Sequence, residues 1–123
     1  MIYGIGIDLV EIQRIERALK RWGERFEKRI FSDREVAYCR KHVRAPVHYA
    51  GRFAAKEAFI KSLGGLRGLT MKDIEVLNDD AGKPAFSLNA AVKRALKERG
   101  VRHVALSVTH TDHYASALVV MEA

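Results

Sequence analysis

The sequence predicts an α+β domain in which a mainly antiparallel sheet packs with a long central helix. Three observations carry this. Residues Ile2 to Leu9 alternate with period two, as a strand does. Two stretches, Ile12 to Phe26 and Gly51 to Gly64, place apolar or small residues at helical spacing. Two further pairs of short apolar runs flank turn-forming residues, the pattern of hairpins.

In the first strand, Ile2, Gly4, Gly6 and Asp8 share one face, and Tyr3, Ile5, Ile7 and Leu9 the other. Two glycines on one face predict that another element approaches closely there. The helix that follows has Ile12, Ile15, Leu19, Trp22 and Phe26 as its core stripe, with Gly23 bending or ending it. Ser32-Asp33-Arg34-Glu35 reads as a capping box, stapled by Phe31 and Val36, for a helix running toward Lys41. Pro46 separates that helix from the one over Gly51 to Gly64, and Gly64, Gly65 and Gly68 mark the latter's end. Ile74 to Leu77 and Ala85 to Leu88 read as strands joined by the turn residues Asn78 to Pro84. Asn89 caps a short helix ending at Gly100. Val101 to Thr109 and Tyr114 to Met121 form a last hairpin around His110-Thr111-Asp112-His113. No linker or repeat interrupts the chain, so residues 1–123 are expected to form one domain.

Composition narrows the function classes. Hydrophobic residues make up 48 %, enough for a core, and no apolar run reaches the ~20 residues of a membrane span. Cys39 is the only cysteine and the first residues lack the pattern of a signal peptide, which together point to a reducing cytoplasm. The net charge of +7 favours anionic partners: nucleic acid, phosphate-bearing ligands or an acidic protein. From Gln13 to Arg29, seven basic residues against three acidic ones leave a local charge of +4. Arg14, Arg17, Arg21, Arg25 and Lys28 fall on a stripe apart from the apolar one, which predicts a docking surface for an acidic partner. Phosphate contacts with nucleic acid would look the same.

Glu57 carries the chemical argument. It follows Phe53 and precedes Ile60 along an apolar ridge, while Gly51, Ala55, Ala58 and Ser62 form a close-packing side. A carboxylate buried there needs a cation or donor. Asp8 lies at the exit of the glycine face. If the two carboxylates meet, a hard cation such as Mg²⁺ would bridge them; otherwise Asp8 caps the next helix and Glu57 pairs with a lysine. Lys56, Lys61 and Arg52 would then offer positive charge to phosphate oxygens beside the metal, or Lys61 would form an ordinary ion pair with Glu57. His110 and His113 are a weak zinc signal without two more ligands and better suit hydrogen bonding to a ligand or the turn itself, and Cys39 reads as a core residue.

At this point the chain resembles the bacterial holo-acyl-carrier-protein synthases, the short phosphopantetheinyl transferases. The matching segments are Gly4 to Ile12, Phe31 to Glu35, Gly51 to Leu63, Asp80 to Pro84 and Ser107 to Thr111, in family order. The resemblance implies a phosphopantetheinyl-transferase-like fold and transfer of phosphopantetheine from coenzyme A to a serine of apo acyl carrier protein, with adenosine bisphosphate leaving. It implies Mg²⁺ ligation by Asp8 and Glu57, with Lys61 beside them. It places Arg52, Lys61, Lys83, His110 and Thr111 around coenzyme A. It assigns carrier docking to Arg14, Arg17, Arg21, Arg25, Phe26 and Arg29. It also implies a homotrimer with active sites at subunit interfaces, and no nucleic-acid or membrane partner. Where the family often carries Gly-Thr-Gly after the metal helix, Gly64-Gly65-Leu66-Arg67-Gly68 stands here. Either Glu57 or a metal-bound water would take the serine proton. The rival readings are a basic nucleic-acid-binding domain and a metal-dependent phosphohydrolase using the same carboxylates.

Overall fold

The structure is a computed structural model that describes residues 1–123. The elements run β1 (Ile2–Glu11), α1 (Ile12–Trp22), α2 (Glu24–Ile30), α3 (Asp33–Arg40), α4 (Ala45–Leu63), β2 (Glu75–Asn78), β3 (Pro84–Ser87), α5 (Ala90–Glu98), β4 (His103–His110) and β5 (Tyr114–Glu122). One sheet has the order β1-β5-β4 and the other pairs β2 with β3; every pairing is antiparallel. No helix is long and apolar enough to cross a membrane.

The 19-residue α4 lies across the three-stranded sheet. The glycine face of β1 makes this possible. A Cβ on Gly4 would stand 2.1 Å from the Ser62 carbonyl oxygen, and one on Gly6 1.9 Å from that of Ala58. Only glycine admits helix backbone so close to a strand. From β5, Ala115, Ala117, Val119 and Met121 alternate inward onto the same helix and are buried. The opposite face of β1 is bare: Tyr3, Ile5, Ile7 and Leu9 are between 38 % and 66 % exposed.

Several local signals act as the sequence predicts. The Ser32 side chain accepts from the Glu35 N–H and the Glu35 carboxylate accepts from the Ser32 N–H, closing the capping box of α3. Asn89 caps α5 by accepting from the Val92 N–H at 2.9 Å. Cys39 is fully buried, and burial pushes its thiol up to about 12, so it is inert at neutral pH.

Gly23 at φ 55° ends α1, one of the two outcomes the sequence predicts for it, and α2 starts after it, so the basic stripe spans two helices. Two expectations need correction. Trp22 leaves the core stripe. It is 48 % exposed, and Arg21 covers its ring at 4.9 Å. Pro46 does not precede the long helix but sits in its first turn, where its missing N–H costs nothing.

Candidate active site

At the β1–α4 contact, the Lys61 ammonium donates to Asp8 Oδ1 at 3.1 Å and to the Ile7 carbonyl at 3.0 Å. The same small-residue packing that admits the glycines brings this lysine onto the strand. Asp8 does not cap α1, whose N-cap is Glu11 without a side-chain bond. Glu57, one turn before Lys61, makes no ion pair, since Lys61 reaches across to Asp8 instead. Nor is Glu57 the buried carboxylate the periodicity predicts. It lies half-buried on the ridge of Phe53 and Ile60, which is partly open. No three His, Cys, Asp or Glu residues group as a ready-made metal cage. Asp8 and Glu57 are hard oxygen donors of the kind Mg²⁺ takes one or two of, its shell completed by water and substrate phosphates.

The carboxylate that α4 does bury against a cation belongs to α3. Glu35 and Lys56 are both 0 % exposed, with Nζ to Oε1 at 2.7 Å. Lys56 donates its other two protons to the carbonyls of Met71 and Ile74, and Glu35 Oε2 accepts from the Val76 N–H. Burial pushes the Lys56 ammonium below its ordinary range, and Glu35 opposes that shift. Lys56 is thus a core residue tying α3, α4 and β2 together, and it has no proton left for a substrate phosphate. This corrects the expectation that it offers positive charge to phosphate oxygens.

Further toward its start, α4 borders a cleft of about 200 Å³ closed by α3, the β2–β3 turn and the end of β4. Gly51 keeps α4 close to β4: a Cβ there would lie 3.3 Å from Val108 Cγ1. Arg52 is buried in the cleft wall. It donates to Asn78 Oδ1, lies 4.1 Å over the Tyr38 ring, and has a buried Nε–H with no acceptor. His48 and His110 line the same space, and no carboxylate does. Lys83 is exposed between Gly82 and Pro84, which line the cleft. Thr111 follows His110, and its hydroxyl oxygen accepts from the N–H groups of His113 and Tyr114, holding the turn. The structure therefore brings Arg52 and His110 together with Lys83 at the rim. Asp8 and Lys61 meet at a second point on α4. His48, Tyr38 and Asn78 escaped the sequence reading, although the i,i+4 spacing of His48 and Arg52 signals a shared face.

On the basic face, Arg14, Arg17, Arg21, Arg25 and Arg29 are exposed. Trp22, Arg25, Phe26 and Arg29, two aromatic and two guanidinium side chains, line a shallow groove. Glu27 anchors α2 from behind. Arg40 grips its carboxylate from Nη2 at 2.5 Å and Nε at 3.1 Å, and the Tyr49 hydroxyl donates to it as well. The Arg40 hydrogen bonds hold Glu27 below the usual carboxylate range against the opposing effect of burial. Because the folded value is depressed, this contribution is present above the ordinary value of 4.5 and is lost as pH falls through the folded value. Glu27→Gln should cost about 1.5–3 kcal/mol at pH 7, with the gap to the native protein narrowing in acid below pH 4.5. Urea melts across pH test this; a gap independent of pH would contradict it.

The chain matches the 4′-phosphopantetheinyl transferase superfamily over residues 4–119. It is 45 % identical to the holo-[acyl-carrier-protein] synthase of Syntrophus aciditrophicus, over 99 % of this chain and 97 % of that protein. The crystal structure of holo-[acyl-carrier-protein] synthase from Neisseria meningitidis superposes with a TM-score of 0.93 at 38 % identity, covering 100 % of both chains. The Helicobacter pylori synthase, solved in complex with coenzyme A, superposes with a TM-score of 0.83 at 31 % identity, over 96 % of this chain and 99 % of that one. With sequence, fold and likeness agreeing along nearly the whole length, this chain belongs to the 4′-phosphopantetheinyl transferase superfamily, among the holo-[acyl-carrier-protein] synthases.

Proposed function

We propose that this chain transfers the phosphopantetheine group of coenzyme A to a serine of apo acyl carrier protein, using Mg²⁺ held by Asp8 and Glu57. One observation carries the reading: α4 presents anion-binding groups at two separated points. Arg52 and Lys61 lie nine residues apart, about 14 Å along the helix axis. The same nine residues turn the two side chains to opposite sides of the helix, so Arg52, in a cleft lined by no carboxylate, and Lys61, beside Asp8, offer two phosphate sites rather than one.

In this reading Arg52, Lys83, His110 and Thr111 hold the coenzyme A nucleotide, and Lys61 faces the reacting diphosphate. The carrier serine oxygen forms a bond to the pantetheine-side phosphorus. The bond from that phosphorus to the bridging oxygen breaks, adenosine bisphosphate leaves with that oxygen, and the serine proton goes to a base at the site. When bound, Mg²⁺ would supply charge neutralisation at the diphosphate. Lys61, already oriented by Asp8 and the Ile7 carbonyl, stabilises the charge that develops on the leaving oxygens.

Mass spectrometry tests the reading. Apo carrier protein incubated with this chain, coenzyme A and Mg²⁺ should gain one phosphopantetheine. No gain would remove the proposal. Coenzyme A cleavage without carrier protein would point to a phosphohydrolase, and salt-sensitive nucleic-acid binding without transfer would point to a binding domain.

We further infer that the carrier docks on Arg14, Arg17, Arg21, Arg25, Phe26 and Arg29. Its support is the basic groove and the acidity expected of the carrier. Charge reversal at Arg14 and Arg21 should raise KM for carrier protein at least about tenfold while leaving KM for coenzyme A near its native value. Equal effects on both would argue against docking here.

The exposed β1 face of Tyr3, Ile5, Ile7 and Leu9 supports a homotrimer with active sites at subunit interfaces, since so large an apolar strip calls for cover. Light scattering should return three times the 13.9 kDa chain mass; a monomer would contradict it. One core cluster of 24 buried residues supports reading residues 1–123 as a single domain, and the unpaired buried Cys39 supports a cytoplasmic setting.

A further inference from the structure

We infer that His48 is a further coenzyme-binding residue, which takes up a proton as a phosphate group of coenzyme A enters the Arg52 cleft, so that binding tightens as pH falls. The inference rests on the coenzyme A reading of that cleft.

His48 stands one turn before Arg52 on α4, so both side chains approach the cleft from one wall. Its ring stacks on His42 with centroids 3.8 Å apart and planes at 22°, and Tyr38 packs edge-on beside it. His42 Nε2 and Arg52 Nε are both buried with no hydrogen-bond partner. Buried polar atoms are almost always satisfied. The orphan that belongs to a cleft-lining residue, the Arg52 guanidinium N–H, calls for an acceptor that enters from outside, and the other lies on the ring stacked against His48.

The charged groups that act on His48 are His42, Arg52 and His110. Among the elements packed nearby, α3 brings Tyr38, and Lys41 just past its end sits over the Tyr38 ring at 5.3 Å. The segment before α4 brings His42 and Arg44, the latter 3.9 Å from Asp112 in the β4–β5 turn. On α4 there is Arg52, the β2–β3 turn carries Lys83, and β4 ends in His110. Asp112 is the one acid, and it is exposed and engaged by Arg44. Burial, then His42, Arg52 and His110, hold His48 below the ordinary imidazole range, so it is neutral at pH 7 while the cleft is free. A phosphate inserted among these groups reverses the balance. It offers an acceptor to the imidazolium and cancels the repulsion from Arg52. The proton comes from solvent, and no covalent bond changes.

Calorimetric titration of coenzyme A at pH 7, in Pipes and in Tris, counts protons exchanged through the buffers' different ionisation enthalpies. The native protein should take up more protons per coenzyme A than His48→Gln, by up to one. Between pH 6 and pH 8 the native affinity should fall up to about tenfold more than that of the variant. Dephospho-coenzyme A separates the two phosphate sources: loss of the extra uptake assigns the 3′-phosphate, and its retention assigns the diphosphate. In the unmodified protein, the His48 imidazole proton resonance should titrate at higher pH once coenzyme A is added, which avoids any folding defect of the variant. Equal proton counts in native protein and variant, or an imidazole titration unmoved by coenzyme A, would overturn the inference and leave the transferase reading standing. If coenzyme A does not bind at all, both fall.

Discussion

The Asp8→Ala and Glu57→Ala variants are expected to lose transfer by at least about 100-fold while staying folded. Removing partners beyond the ligands of a metal typically costs 10–100-fold, and removing a ligand itself should cost no less. The stability side follows from exposure. Asp8, itself 16 % exposed, gives up one ion pair to a Lys61 side chain that is 53 % exposed, and a pair open on the lysine side is worth about 1 kcal/mol. Glu57 gives up no ion pair at all. The two losses should differ in kind from a docking defect: kcat falls, and raising the carrier concentration does not restore it. Single-turnover assays beside urea melts check both halves. Full activity in either variant would refute its role as a ligand.

Lys56→Met should be the most destabilising single change, by about 3–5 kcal/mol. The methionine is close in length, so little volume is lost. The cost comes from what remains: a Glu35 carboxylate at 0 % exposure with no cation, and the carbonyls of Met71 and Ile74 without their donor. The double variant Lys56→Met with Glu35→Gln should recover part of this. The glutamine is neutral, yet its oxygen still accepts from a backbone N–H. If the double variant is no more stable than Lys56→Met, stranded charge is not the dominant cost. Because Asn78 continues β2 past Val76 and holds Arg52, the single variant should also weaken coenzyme A binding.

The chemistry of individual turns was open to a sequence reading, and contacts across long separations were not. Gly4 and Gly6 announced a close approach, and the Ala58 and Ser62 carbonyls make it. The Ser32 to Glu35 box and the Asn89 cap are local, so four residues suffice to read each. Glu35 shows where that reading ends. Its capping role is visible in sequence, but its pairing with a lysine 21 positions away depends on how α3 crosses α4. Helical periodicity places the buried charge at Glu57, between Phe53 and Ile60, and leaves Lys56 as a cation for phosphate oxygens, since lysines are rarely buried whole. The ridge of Phe53, Glu57 and Ile60 proved half-open instead. In the site, Arg52 and His110 line one cleft, whereas His48 could not be placed without knowing which face of α4 meets β4.

The central claim is that Asp8 and Glu57 share one divalent ion beside the coenzyme A diphosphate. Anomalous diffraction from crystals grown with Mn²⁺ and coenzyme A tests it directly. The account predicts a single peak per site with an oxygen of Asp8 and one of Glu57 each about 2.1 Å away. A peak bound by other residues, or two carboxylates too far apart to reach one ion within the chain or its assembly, would contradict it.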